Sequence, residues 1–253
     1  MNFRHNKILE RARHDGKITV NGLAKSFDVT VQTIRRDLTE LVEQGRLSRV
    51  HGGAVLPSGL TNIGYEDRRR LNSIAKARIG RTCADQINNG TSVFLGIGTT
   101  CEAVAYALVH HEGLQVITNN LNAIPILSAN PSCRVIVTGG QLRVADAGLV
   151  GAQTAASVRQ FKFDSAIIGC SAMDSEGGLF DYDLDEVVVS QDVIANSHAT
   201  ILVADAAKFR RKAPARIASL RDVTMLITDQ VPKLKKWSSS EIDYTILVAP
   251  EYD

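Results

Sequence analysis

Between Val20 and Leu41 the apolar residues fall into two stripes of helical period. Val20, Leu23, Ala24 and Phe27 recur at i, i+3, i+4 and i+7, so one helix buries a single face and leaves Asn21 and Lys25 in water. Val31, Ile34, Leu38 and Leu41 repeat the period and predict a second helix with all four residues inward, ended by Gly45. Asp28-Val29-Thr30 forms the turn between them, where the Thr30 hydroxyl caps the second helix. Upstream, Ile8, Leu9 and Ala12 give a shorter packing helix, and Gly16 sits where a helix end favours left-handed backbone.

The polar face of the second helix carries Gln32, Thr33, Arg35 and Arg36. These residue types hydrogen-bond phosphates and base edges when a recognition helix enters the major groove. Two short β-prone segments, Leu47–Val50 and Ala54–Leu56, flank His51-Gly52-Gly53 and predict a hairpin, the wing of a winged helix-turn-helix. Thr30, Gln32, Thr33, Arg35, Arg36, Arg49 and His51 are therefore the candidate contacts to double-stranded operator DNA.

After Leu56 the periodicity stops, and PSGLTNIG, residues 57–64, reads as a linker. The next segment, RRRLNSIAKARIGRTCADQI, predicts one helix closed by Asn88-Asn89-Gly90. Its Arg68-Arg69-Arg70 triplet suits either a DNA phosphate or an exposed helix start, and stays outside the candidate set. Short apolar runs then alternate with helical stretches. Ser92–Ile97, Leu114–Thr118, Arg134–Thr138, Ser165–Gly169, Thr200–Ala204, Thr224–Thr228 and Tyr244–Ala249 are the strand candidates. Near-continuous Val, Ile and Leu in such runs predicts a parallel-rich sheet with helices on both faces.

Ligands of such sheets sit beyond the carboxyl ends of the strands, and here those ends are small and polar. Gly98-Thr99-Thr100 opens a helix and presents backbone N–H groups to an anion. Asn119 and Asn120 end the second run, Gly139 and Gly140 the third, and Lys208 follows Asp205 after the fifth. Together they fit a small phosphorylated metabolite, held by ion pairing and charge-assisted hydrogen bonds. In the acidic stretch Asp181, Asp183, Asp185 and Glu186, Asp183 reads as a helix start and Glu186 as a candidate for sugar hydroxyls.

Charge sharpens the division. Residues 1–56 hold ten Lys/Arg against six Asp/Glu, and residues 57–253 hold nineteen against twenty-one, so the excess positive charge lies in the first segment. With 253 residues and 44% hydrophobic content, the chain supports a small head and a larger body. We divide it as residues 1–57 for the DNA-binding head, 58–72 for the linker and 73–253 for effector binding and oligomerisation. The four cysteines have no metal-ligand spacing and read as reduced, buried thiols, so no metal or cofactor is expected. No apolar run approaches the ~20 residues of a membrane span, which predicts a cytoplasmic protein.

The run Thr33-Ile34-Arg35-Arg36-Asp37-Leu38, followed by Arg49-Val50-His51-Gly52-Gly53-Ala54, resembles the hallmark of the DeoR family of bacterial transcriptional regulators. The body is similar to the effector domain of that family at Ile97–Thr100, Thr118-Asn119, Thr138–Arg143, Gly177-Gly178-Leu179 and Ala204-Asp205 with Lys208-Phe209. The resemblance implies a body folded like ribose-5-phosphate isomerase and glucosamine-6-phosphate deaminase. It also implies repression of a carbohydrate or polyol operon, relieved by glycerol-3-phosphate or a sugar phosphate. Two residues depart from the family pattern: Gly96, where an acidic residue is usual, and Ser190, where a lysine is usual. The rival reading is a sugar-phosphate isomerase or deaminase with a DNA-binding head, for which Asp181, Glu186 and Lys208 are the available acid–base groups. A third is an architectural DNA binder without effector. A head this small implies a homodimer or homotetramer, since paired heads match operator symmetry.

Overall fold

The computed structural model describes residues 3–15, 17–44, 46–55, 64–234 and 244–251. The chain forms two compact units, Met1–Thr61 and Asn62–Asp253. Gly16, Gly45, Leu56 and the expected linker residues 57–63 lie outside the described residues.

The first unit contains α1 (Phe3–Asp15), β1 (Lys17–Thr19), α2 (Val20–Phe27), α3 (Val31–Glu43), β2 (Ser48–Val50) and β3 (Gly53–Val55). Ile8, Leu9, Leu23, Ile34, Leu38 and Leu41 are buried in its core. Thr19 and Thr30 cap α2 and α3 by accepting from the backbone N–H of Gly22 and Thr33. Val31 is exposed rather than inward, because it occupies the first turn of α3 ahead of the packed stripe.

β3 pairs antiparallel with both β2 and β1, so the wing is a three-stranded sheet. Its glycines have separate reasons. Gly52 takes φ +76°, and its carbonyl accepts from the N–H of Val20. Gly53 lies so close to β1 that a Cβ there would stand 1.9 Å from the carbonyl oxygen of Ile18. Gly53→Ala should therefore separate β1 from β3 and destabilise the head by about 1–3 kcal/mol. Faster amide exchange over residues 17–19 and 53–55, with the second unit unchanged, would register it.

The second unit begins with α4 (Tyr65–Arg70) and α5 (Ser73–Ala84). The sequence predicts one helix here. The structure breaks it at Asn72, which adopts φ 54° and donates its side-chain amide to Asp205 Oδ1 at 3.0 Å. Then follow β4 (Ser92–Leu95), α6 (Thr99–Leu108), β5 (Gln115–Thr118), α7 (Ala123–Leu127), β6 (Arg134–Val137), β7 (Gln141–Arg143), β8 (Gly148–Val150) and α8 (Ala152–Val158). β9 (Phe163–Ile168), β10 (Ala172–Met173), β11 (Gly178–Asp181), α9 (Leu184–Ala195), β12 (Ser197–Val203), β13 (Ala215–Ser219), β14 (Met225–Thr228) and β15 (Thr245–Val248) complete it.

The seven expected strands form one parallel sheet in the order β15-β14-β12-β9-β4-β5-β6. One apolar cluster holds Phe94, Phe163 and Ile168 with Val189 and Val193 of α9; a second holds Ile79, Val104, Leu108 and Leu127 with Leu95 and Val116. β7 and β8 pair as a separate antiparallel hairpin, and β10, β11 and β13 form a small antiparallel sheet. Strand order reverses between β4 and β9: the chain runs outward through β5 and β6, then returns to the other side of β4. Parallel sheets open a crevice at such a point, beyond the carboxyl ends of the flanking strands. No described helix is long and apolar enough to cross a membrane.

Candidate functional site

On α3 the buried stripe fixes which side chains face outward. Gln32, Arg35 and Arg36 are exposed, Thr33 is half-buried, and Thr30 and Thr33 share a hydroxyl hydrogen bond of 2.9 Å at the helix start. Arg36 Nε lies 3.2 Å from Glu40 Oε1, an exposed pair one turn apart that contributes little to stability. Arg49 on β2 donates to Thr39 Oγ1 at 2.8 Å, which ties the wing to α3, and His51 is exposed at the hairpin turn. Asp37, inside the same motif, points inward. Its carboxylate pairs with Arg4 and accepts from His5 Nε2 at 3.3 Å, clamping α1 to α3. Burial alone would raise the Asp37 pKa, but Arg4 and His5 hold it below the usual carboxylate range.

In the second unit, a cleft opens beyond β4, β9 and β12. Gly98, Thr99 and Thr100 line it from the start of α6, Ser171 follows β9, and Lys208 follows β12. Gly98 takes φ +128°, and the first backbone N–H groups of α6 have no intrahelical acceptor. Asp181 and Glu186 line the same cleft, so cationic and carboxylate groups face one space.

The structure adds a residue to this cleft that was left out of the candidate set: Arg68 of α4. Its Nη2 donates to Asp146 Oδ2 at 2.9 Å, while its buried Nε has no partner among the described residues. Asp146 also accepts from Arg143 Nε at 2.8 Å, and Arg143 reaches Asp183 Oδ2 at 2.7 Å and Glu186 Oε2 at 2.5 Å. Burial alone would raise the Asp146 carboxyl, but the two guanidiniums keep it below its ordinary value. Behind Arg68, the buried Lys76 donates to Thr99 Oγ1 at 2.9 Å and to the Arg68 carbonyl. Sequence pattern did not mark Asp146 or Lys76, weighed Arg68 only within the arginine triplet and gave Arg143 only as the end of a family motif, because the folded chain is what brings these segments together.

Four expected effector residues, Asn119, Asn120, Gly139 and Gly140, do not line this cleft. Asn120 is fully buried, donating to the Gly96 carbonyl at 3.3 Å and accepting from Asn122 N–H at 3.1 Å. Gly139 accepts from Thr154 Oγ1 at 2.8 Å. Gly140, at φ +140°, packs so closely on Thr154 that a Cβ would fall 1.8 Å from its hydroxyl. Both glycines therefore seat α8 and do not line the cleft. Asn119 lines a neighbouring cavity, and Asp183 caps α9 by accepting from Asp185 N–H at 2.9 Å.

Burial lowers the pKa of Lys208, with Arg211 adding to the effect and Asp205 opposing it. Burial, reinforced by Asp181 and opposed by Arg143, raises Glu186 from 4.5 to about 7. A carboxyl raised on folding favours the native state below its unfolded pKa, and that contribution disappears as pH rises through about 7. Glu186→Gln removes this loss, so its stability relative to the parent should increase by on the order of 2 kcal/mol between pH 5 and 8. Urea unfolding at both pH values measures it; parallel shifts would refute the assignment.

Residues 4–59 match the DeoR-like helix-turn-helix domain, and residues 71–230 match the DeoR C terminal sensor domain. The glycerol-3-phosphate regulon repressor of Haemophilus influenzae is 44% identical over 231 residues, covering 91% of this chain and 90% of that protein. Its Escherichia coli namesake is 42% identical, covering 90% of this chain and 91% of that protein. The transcriptional repressor CsqR of Escherichia coli is 35% identical over 100% of this chain and 97% of its own length. Among solved structures, ribose 5-phosphate isomerase from Plasmodium falciparum aligns with a TM-score of 0.40 and 14% identity, over 55% of this chain and 53% of that one. With a DeoR-like helix-turn-helix domain in one unit and the family's sensor domain in the other, the chain belongs to the DeoR family and is a DNA-binding transcriptional repressor, not an enzyme.

Proposed function

We propose that the protein represses a carbohydrate or polyol catabolic operon in the cytoplasm and releases its operator when a phosphorylated metabolite enters the cleft. The observation that carries this reading is the convergence of Lys208, Arg68 and the α6 N-terminus on one cleft of a sensor domain. Gly98, Thr99, Thr100 and Lys208 hold the phosphate, and Glu186 accepts from hydroxyls. Thr30, Gln32, Thr33, Arg35, Arg36, Arg49 and His51 contact the operator. The names of two similar repressors make glycerol-3-phosphate the first compound to test.

Arg68 offers the route from ligand to DNA. It belongs to α4, the first helix of the sensor unit, and the chain preceding α4 leads to the head. A phosphate drawing Arg68 from Asp146 changes the seat of that helix. Control requires only that the ligand bind one arrangement better than the other, and a coupling of about 1–3 kcal/mol is enough. Leu142 and Val144 near the β7–β8 hairpin, and Leu184 and Val188 on α9, are exposed apolar residues on elements joined through Arg143, and they support a homodimer or homotetramer.

A mobility-shift titration of the full chain on its own promoter, with and without glycerol-3-phosphate and sugar phosphates, tests the reading. Release by a phosphate ester and not by its unphosphorylated parent is the expected result. Tight binding that no phosphate ester alters would reject the effector half and leave the DNA half standing.

A further inference from the structure

Two side chains of α4 fasten it to the sensor unit. At its start, the Tyr65 hydroxyl donates to Glu102 Oε2 at 2.9 Å, and Glu102 lies in the first turn of α6, just after Thr99 and Thr100. One turn on, Arg68 donates to Asp146 Oδ2. Glu102 is only 6% exposed. Burial raises its pKa, and the hydrogen bonds from Tyr65 and Asn122, with the charge of Arg69, oppose that rise.

One side chain joins the two anchors. Asn122 Nδ2 donates to Glu102 Oε1 at 3.2 Å and to the Asp146 carbonyl at 2.9 Å. A single amide group thus spends both of its hydrogens between the residue that holds Tyr65 and the residue that holds Arg68. The Asn122 backbone N–H donates to Asn120 Oδ1 at 3.1 Å, and Asn120 Nδ2 donates to the Gly96 carbonyl at 3.3 Å, which ties the junction to the ends of β4 and β5. Arg68 and the start of α6 border the cleft; Tyr65 and Asn122 do not line it.

We infer that Asn122 is a positioning residue that makes the two anchors of α4 respond together, so that a ligand drawing Arg68 from Asp146 also loosens Tyr65, the α4 residue nearest the head along the chain. The inference rests on the reading of the cleft as the effector site and adds the step by which occupancy reaches the start of α4. With Arg68 withdrawn, the turn at residues 144–147 keeps Arg143 and loses its tie to α4. The Asp146 carbonyl then shifts, Asn122 follows it, and Glu102 gives up one of the donors that hold it beneath Tyr65. Without Asn122, the Arg68 anchor releases and Tyr65 stays where it is.

Asn122→Ala and Tyr65→Phe in the full chain test this through two measurements. The first is calorimetric titration with glycerol-3-phosphate, ribose 5-phosphate and fructose 6-phosphate; the second is operator affinity with and without a saturating amount of the compound that binds. In the parent, that compound should change operator affinity by about 5- to 150-fold. Both variants should bind it within about threefold of the parent, while the change in operator affinity shrinks by about tenfold or vanishes, the factor of one hydrogen bond to a charged group. The double variant should lose no more than either single one, since both act through Glu102. Asn130→Ala removes another buried asparagine of the same unit, which donates to the His111 carbonyl, and should keep the parent's change. Tyr65→Phe deletes one hydroxyl and keeps the test decisive if Asn122→Ala fails to fold. A parental change in operator affinity in both variants, an equal loss in Asn130→Ala, or additive losses in the double variant would overturn the inference and preserve the cleft. Loss of ligand binding in Tyr65→Phe would overturn it by placing Tyr65 in the site. Failure of every compound to bind the parent, or to alter its operator affinity, would overturn both.

Discussion

Arg35→Ala is expected to abolish discrimination between operator and random DNA while leaving the head folded. Arg35 is exposed on α3, opposite the stripe formed by the fully buried Ile34, Leu38 and Leu41, so its removal leaves no cavity. A bidentate arginine–guanine contact discriminates by about 1–3 kcal/mol, so the loss is about that much for each head bound to the operator. Arg36→Ala should have a related but different effect. Its pairing with Glu40 leaves the guanidinium near the helix surface, suited to backbone phosphate. That variant should weaken all DNA binding and reduce the salt slope by about one unit per head. Mobility shifts on operator and scrambled duplexes at several salt concentrations separate the two. Unchanged affinity in both variants would reject α3 as the recognition helix.

The sequence disclosed the scaffold more fully than the sensor site. All seven strands of the parallel sheet were legible because buried parallel strands are continuous runs of Val, Ile and Leu, as in Val116-Ile117 or Ile201-Leu202-Val203. β1 was not legible: Lys17-Ile18-Thr19 has no pattern, and β3 alone, through its backbone, makes it a strand. The antiparallel sheet of β10, β11 and β13 joins segments about forty residues apart, with only two residues in β10. Gly98-Thr99-Thr100, which line the cleft, were legible because a glycine and hydroxyls opening a helix are a local pattern. Arg68 was not found, since a guanidinium in an arginine triplet reads as solvated until Asp146, 78 positions away, appears beside it. Gly139 and Gly140 were misplaced for the converse reason. A glycine pair after a strand suits ligand approach and close helix packing equally well, and here the neighbour is Thr154.

The sensor variants should show the opposite behaviour to the α3 variants. Lys208→Met is expected to bind operator as the parent does and to respond to effector only at concentrations roughly 30- to 1,000-fold higher, equivalent to about 2–4 kcal/mol for a lost charge-assisted contact to phosphate. Burial already depresses the Lys208 pKa, so the parent's effector affinity should fall as pH rises through that depressed value, and the Met variant should lack this dependence. Arg68→Met removes the proposed phosphate contact and also leaves Asp146 with Arg143 as its remaining guanidinium partner among the described bonds. It should therefore lose effector response and also shift operator affinity in the absence of ligand, which Lys208→Met should not do. The difference between them tests α4 as the moving part. If both variants lose effector binding but neither alters DNA affinity without ligand, Arg68 is a ligand contact alone, and the signal leaves the cleft by another element.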